Sequence, residues 1–142
     1  TTNPILQEFG LTNVAVSITS EPLFMEKSTL FKSCDFVVGA DTMTRLINPK
    51  YYGRKDFDGS VEREHQFRLQ SMISALSSIR SEGCRFIVGG RTTDGDFTSC
   101  KDILDAPEKS CMPEEIKAMF RDITEDEFRV DISSTELRAV AK

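Results

Sequence analysis

A chain of 142 residues has the length of one ordinary domain, enough to bury most of the surface its unfolded form exposes, and no second full domain is expected. With 39% hydrophobic and 29% charged residues, no apolar run of membrane-spanning length and no basic-then-apolar leader, it reads as a soluble, cytoplasmic globular protein without a membrane partner. The net charge of -5 argues against the basic face that long nucleic acid requires, and leaves room for a small phosphate site built from a few arginines.

The elements follow in chain order. Val14 to Thr19, "VAVSIT", is a short β-branched run ending at a Ser-Glu-Pro break and predicts a buried strand. Pro22 to Phe31 is amphipathic and predicts a short helix. "FVVGAD", Phe36 to Asp41, predicts a second strand, and "DTMTRLI" predicts a helix opening on a polar cap. The stretch from Asn48 to Ser60 is long and polar enough to be a mobile loop.

Val61 to Ser81 is the strongest helix, with Leu69, Met72, Ile73, Leu76 and Ile79 on one stripe and Gly83 as the stop. "CRFIVGG", Cys84 to Gly90, is the third strand. All three strands are near-continuous apolar runs, as expected of parallel strands covered on both faces. Their alternation with helices predicts right-handed crossover units in an α/β sheet. The stretch from Thr92 to Ser110 reads as loop-rich, Pro113 opens a helix through Phe120, and "EFRVDI" alternates like a short strand leading into Ser133.

Chemistry is sought at the carboxyl ends of the strands, where ligands bind in open parallel sheets. Asp41 and Thr42 lie at such an end, although Asp41 also suits a plain helix cap. "VGGR" brings Gly89, Gly90 and Arg91 to the same edge; paired glycines admit a ligand or another backbone, and an arginine can hold phosphate bidentately. The alternative there is a glycine turn with a solvated arginine.

In "ISSTELR", Ile132 to Arg138, Ser133 and Glu136 fit a capping box, which does not explain Ser134, Thr135 or Arg138. Hydroxyls, helix-start amides and a guanidinium together suit a di- or triphosphate. His65, the one histidine, sits in "EREHQFR" at a polar helix start and reads as solvated or capping. The acidic groups Glu114-Glu115 and Glu125-Asp126-Glu127 read as helix-start charges. Four cysteines without CxxC spacing read as free thiols in a reducing compartment. Walker, GxGxxG and GxSxG motifs are absent.

With Gly39-Ala40-Asp41 ending a strand, Tyr51 and Tyr52 ten residues on, Arg91 closing the next strand, and Ile132-Ser133-Ser134-Thr135 with Arg138, the chain resembles the nucleotidylyltransferase superfamily. The likeness runs from Val14 onward and is strongest to the nicotinamide-mononucleotide-adenylyltransferase-like branch; the sequence is also similar to cytidylyltransferase-like members. The resemblance implies a Rossmann-like open parallel sheet with flanking helices. It implies transfer of AMP or CMP from ATP or CTP to a small phosphorylated acceptor, with magnesium and release of pyrophosphate.

It further implies that Ser133, Ser134, Thr135 and Arg138 hold the triphosphate, that Gly39 and Asp41 meet the sugar, that Arg91 lies near the phosphates or acceptor, and that Tyr51 or Tyr52 stacks on an acceptor ring. The family's HxGH motif is missing, since His65 stands in another context. The expectation is therefore a partial domain over residues 1–142, the C-terminal part of a longer protein, inactive alone and completed by its N-terminal half or by a second copy. The family's missing strand would lie between the first two strands here. The rival expectations are a non-catalytic nucleotide-binding or interaction module of the same fold, and a structural α/β domain whose Ser133 and Glu136 only cap a helix.

Overall fold

The computed structural model describes residues 7, 8, 10, 13–53, 59–127 and 139. It is a mixed α/β structure: α1 (Phe24–Leu30), β1 (Asp35–Gly39), α2 (Ala40–Leu46), a 3-10 turn (Pro49–Tyr51), α3 (Val61–Ser81), β2 (Arg85–Gly89), β3 (Arg91–Thr93), β4 (Asp96–Thr98), α4 (Cys100–Leu104), a second 3-10 turn (Pro107–Lys109), α5 (Glu114–Lys117) and β5 (Phe120–Ile123). β1, β2 and β5 form a three-stranded sheet in the order β1-β2-β5, with both pairings parallel. β3 and β4 pair antiparallel as a separate ribbon.

The long helix α3 forms where its apolar stripe and its capping signals agree. Ser60 Oγ accepts the Arg63 N–H at 3.4 Å at the start, and Gly83, with φ +78°, turns the chain out at the end. Met72, Leu76 and Ile79 are buried, with Leu69 and Ile73 packed beside them. Their sheet partners are Val38, Phe86, Val88 and Phe120, which share one core cluster with Met43, Ile47 and Ile116. Phe24 fastens α1 to this core by standing edge-on to Phe36 and Phe86, with ring centroids 5.3 and 5.4 Å apart; Phe86 stacks on Phe120 at 5.1 Å.

Several expectations are corrected. Val14 to Thr19 is not a buried strand: it forms no regular element, and Val14, Val16 and Ile18 are 46%, 78% and 97% exposed. β-Branched residues favour strands because they fit a half-buried pleated surface, and among the described residues no strand pairs with this segment. Coverage on both sheet faces also fails for β1, where Val37, between half-buried Phe36 and buried Val38, is 72% exposed. Period-2 alternation therefore describes this strand, hidden in the sequence because its outward positions are also apolar.

The helix expected from Pro113 through Phe120 ends at Lys117, and Phe120 opens β5 instead. The Phe86 N–H donates to Met119 O at 2.8 Å, so pairing with β2 takes over from the helical ladder. The strand expected at "EFRVDI" lies, beyond Glu127, outside the described residues; Glu127 itself sits in a turn and accepts the Thr124 N–H at 3.0 Å. The loop-rich stretch holds β3, β4 and α4. Asp94 and Gly95, at φ +51° and +90°, make the hairpin turn, and Ser99 with Asp102 makes a reciprocal cap on α4.

The four cysteines are free, Cys34 and Cys111 exposed, Cys84 and Cys100 buried. Among the described residues no helix is long and apolar enough to cross a membrane.

Candidate functional site

β1 and β2 end level with each other, so that Gly39 lies opposite Gly89 at the carboxyl edge of the sheet. By strand alternation both positions belong to the less covered face, with Val37 and Ile87. A Cβ placed on Gly39 would meet nothing within 4 Å, and one on Gly89 only Val38 O at 3.9 Å. Two adjacent strands thus present bare backbone to open space. Gly90 is different: a Cβ there would lie 2.8 Å from Thr98 O and collide with the Phe97 ring. The first glycine of the pair leaves space for a ligand, and the second admits the β3-β4 ribbon.

Asp41 and Arg91 stand just beyond these glycines. Asp41 lies in the first turn of α2, whose N-cap is Gly39 in an extended conformation with no side-chain cap. The helix-cap reading of Asp41 is therefore corrected: its carboxylate instead accepts from Arg91 Nη1 in an ion pair that joins the segments following β1 and β2. Both side chains are more than half exposed, so the pair is screened by water and open to exchange with a ligand. Chemically, the edge offers backbone without side chains, one carboxylate suited to sugar hydroxyls and one guanidinium suited to phosphate.

The helix that follows the ribbon is tied to the sheet at its start. Asp122, near the end of β5, accepts the Cys100 N–H at 3.1 Å at the start of α4. Burial, and then the neighbouring Asp122 charge, push the Cys100 thiol up to about 12, so it stays protonated and serves as core.

The two tyrosines have separate surroundings. Tyr52 is half-buried and its phenol donates to Leu46 O at 2.7 Å; burial raises its pKa to about 12. Tyr51 is 57% exposed, with Lys50 Nζ 4.9 Å from its ring centroid. Residues 48–53 are not the loose loop expected, because Asn48 caps the turn from Pro49 and the Arg68 side chain binds two of its carbonyls. Arg68 and Asp122 were not singled out in the sequence. A Glu64-Arg68 spacing of four on a helix was visible, but its loop partners are sixteen and eighteen residues away.

The structure therefore brings Gly39, Asp41 and Arg91 to one edge, and places Tyr51 and Tyr52 on the turn after α2. Ser133, Ser134, Thr135 and Arg138 lie outside the described residues. His65 is exposed on the first turns of α3. A cavity of about 550 Å³ lies elsewhere, lined by Glu21, Glu26, Ser28, Ser81 and Glu82 among others; its three carboxylates do not suit an anion. No family model, no curated protein and no solved structure matches this chain.

Proposed function

We propose that this chain is the nucleotide-holding part of a Rossmann-like nucleotidylyltransferase domain, acting in the transfer of AMP or CMP to a small phosphorylated acceptor. The observation that carries this reading is the open Gly39-Gly89 floor with the Asp41-Arg91 pair at the same sheet edge. The parallel order β1-β2-β5, with helices packed on the sheet, supports the Rossmann-like architecture. In the proposed reaction an acceptor phosphate oxygen attacks the α-phosphorus of ATP or CTP. A new P–O bond forms, the bond to the bridging oxygen breaks, and pyrophosphate leaves with its electron pair.

The residues of this chain contribute position and charge to that step. Asp41 accepts hydrogen bonds from the sugar, the bare glycines let the nucleotide lie against the backbone, and Arg91 neutralises phosphate charge, as Ser133, Ser134, Thr135 and Arg138 do in the resemblance. In this reading magnesium would come bound to the phosphates of the triphosphate substrate and neutralise their charge there. The one histidine, exposed His65, favours a second reading in which the same edge binds a nucleotide without turnover.

Titration calorimetry with ATP and CTP tests the binding common to both readings. Arg91→Ala is expected to weaken binding by about 10- to 100-fold, the loss of charge-assisted hydrogen bonds. Unchanged affinity in that variant would remove Arg91 and the sheet edge from the site. Pyrophosphate release over a panel of phosphorylated acceptors then separates the enzyme from the binding module.

A further inference from the structure

β1 and β2 begin as they end, side by side. In their parallel register Asp35 lies opposite Arg85, and the residues just before them are Cys34 and Cys84. The Arg85 N–H donates to Cys34 O at 3.2 Å, the bond that a parallel pairing of Cys34 with Cys84 makes, and the Ser33 N–H donates to Glu82 O at 2.9 Å just ahead of it. Gly83 passes so close to Ser33 that a Cβ on it would stand 3.3 Å from Ser33 Cα. The two cysteine backbones are therefore neighbours at the strand spacing of about 5 Å, inside the Cα separation of about 4.4 to 6.8 Å that a disulfide spans. Cys34 shares the alternation of Phe36 and Val38, and Cys84 that of Phe86 and Val88, so both belong to the sheet face on which α1 packs. Their thiols lie against consecutive carbonyls at the end of α1: Cys34 Sγ donates to Lys32 O at 3.5 Å, and Cys84 Sγ to Phe31 O at 3.1 Å.

We propose that Cys34 and Cys84 are a reversible redox pair, which glutathione disulfide converts to a bridge fastening β1 to β2 at the amino end of the sheet. Exposure divides the work. Cys34 is exposed and Cys84 buried, so the outer thiol meets the oxidant and the inner one resolves the adduct. The Cys34 thiolate attacks one sulfur of glutathione disulfide; a bond from Cys34 to glutathione forms, the S–S bond of the oxidant breaks, and the first glutathione thiolate leaves with the electron pair. Cys84 gives its proton to that thiolate and attacks the Cys34 sulfur, displacing the second glutathione. The two protein thiols are oxidised by two electrons, and one glutathione disulfide is reduced to two glutathiones. Turning the side chains toward each other breaks only the two weak S–H···O contacts and leaves the N–H···O=C ladder between β1 and β2 in place.

The test exposes the folded whole chain to glutathione disulfide, alkylates the remaining thiols and digests with trypsin without reduction. Cleavage after Lys32, Arg45, Arg80 and Arg85 makes the expected product the peptide Ser33–Arg45 joined to Ser81–Arg85. In Cys84→Ala, glutathione should instead stay on Cys34. In Cys34→Ser, a change at an exposed position that spares the core, Cys84 should be recovered alkylated. Exposed Cys111 serves as the control for the oxidant. Wild-type protein in which Cys34 keeps its glutathione, or stays reduced while Cys111 is modified, overturns the proposal, as does Cys34 joined to Cys100, to Cys111 or to a second chain.

A bridge formed in the native register restricts the unfolded chain and costs the folded one little. The thermal midpoint of the oxidised wild type should therefore rise by about 5 °C or more, and return on addition of dithiothreitol. Cys34→Ser should show no such rise under the same oxidant. A midpoint that falls on oxidation overturns the proposal, because the link would then form only by pulling β1 and β2 out of register. The pair lies at the opposite end of these strands from Gly39 and Gly89, so both measurements are made without nucleotide and their outcome is separate from the nucleotidyl-transfer reading.

Discussion

Arg91 and Asp41, fifty residues apart in sequence, form an ion pair across the carboxyl edge of the sheet, one following β2 and the other in the first turn after β1. Each therefore has a partner that a ligand can replace: sugar hydroxyls for the carboxylate, phosphate for the guanidinium. Because the pair is more than half exposed, its worth to folding is about 0 to 1 kcal/mol.

Asp41→Asn should accordingly leave thermal stability nearly unchanged, within about 1 kcal/mol. The same change frees the Arg91 guanidinium, so inorganic phosphate is expected to bind more tightly while preference for a ribonucleotide over its phosphate alone declines. Differential scanning calorimetry with phosphate and nucleotide titrations reads both effects. A large loss of stability with no change in binding would make the pair a structural brace.

The glycines at the edge should separate in the opposite sense. Gly39→Ala meets no atom within 4 Å at an ordinary negative φ, so stability should hold or rise by about 0.4 to 1 kcal/mol through the unfolded chain. Nucleotide binding should weaken as the floor fills. Gly90→Ala meets Thr98 O and Phe97 and should cost about 1 to 3 kcal/mol. Denaturant unfolding of the two variants, paired with nucleotide titration, would contradict this if Gly39→Ala were the more destabilising.

Much of this organisation was legible in the sequence because local signals and tertiary demands agreed. The α3 stripe of Met72, Leu76 and Ile79 is buried as its spacing required, and "FVVG" and "RFIVG" pair as parallel strands. Val14 to Thr19 shows the limit: its composition favours a strand, but strand formation needs a neighbour that composition cannot supply. β5 was missed for the reverse reason, since Phe120-Arg121-Asp122-Ile123 carries little β signal and is held by the pairing with β2. At the edge, Gly39, Asp41 and Arg91 were visible as residue types. That Gly39, rather than Asp41, caps α2, and that Asp41 instead meets Arg91, depends on strand register that no short window contains.

Tyr52 provides a pH test of the turn. Its phenol is held protonated by burial to about pH 12, above the ordinary value of 10.0, while the unfolded chain releases that proton near 10. The folded state therefore binds more protons than the unfolded state between pH 10 and 12, and stability must fall as pH rises through that window. Tyr52→Phe keeps the ring, removes the titration and loses the bond to Leu46 O, at a cost of about 1 kcal/mol at neutral pH. Stability measured against pH should show a shallower alkaline decline in Tyr52→Phe than in wild type. Parallel curves would show that Tyr52 does not govern this window.

The most direct measurement is an amide chemical-shift map of the wild-type chain during titration with ATP and then CTP. Binding at the sheet edge should move the amides of Gly39, Asp41, Gly89 and Arg91 first and furthest, with a saturable response that Arg91→Ala weakens about 10-fold or more. Shifts confined to the acidic cavity around Glu21, Glu26 and Glu82, or no shifts with either nucleotide at millimolar concentration, would contradict the assignment of a nucleotide to this edge.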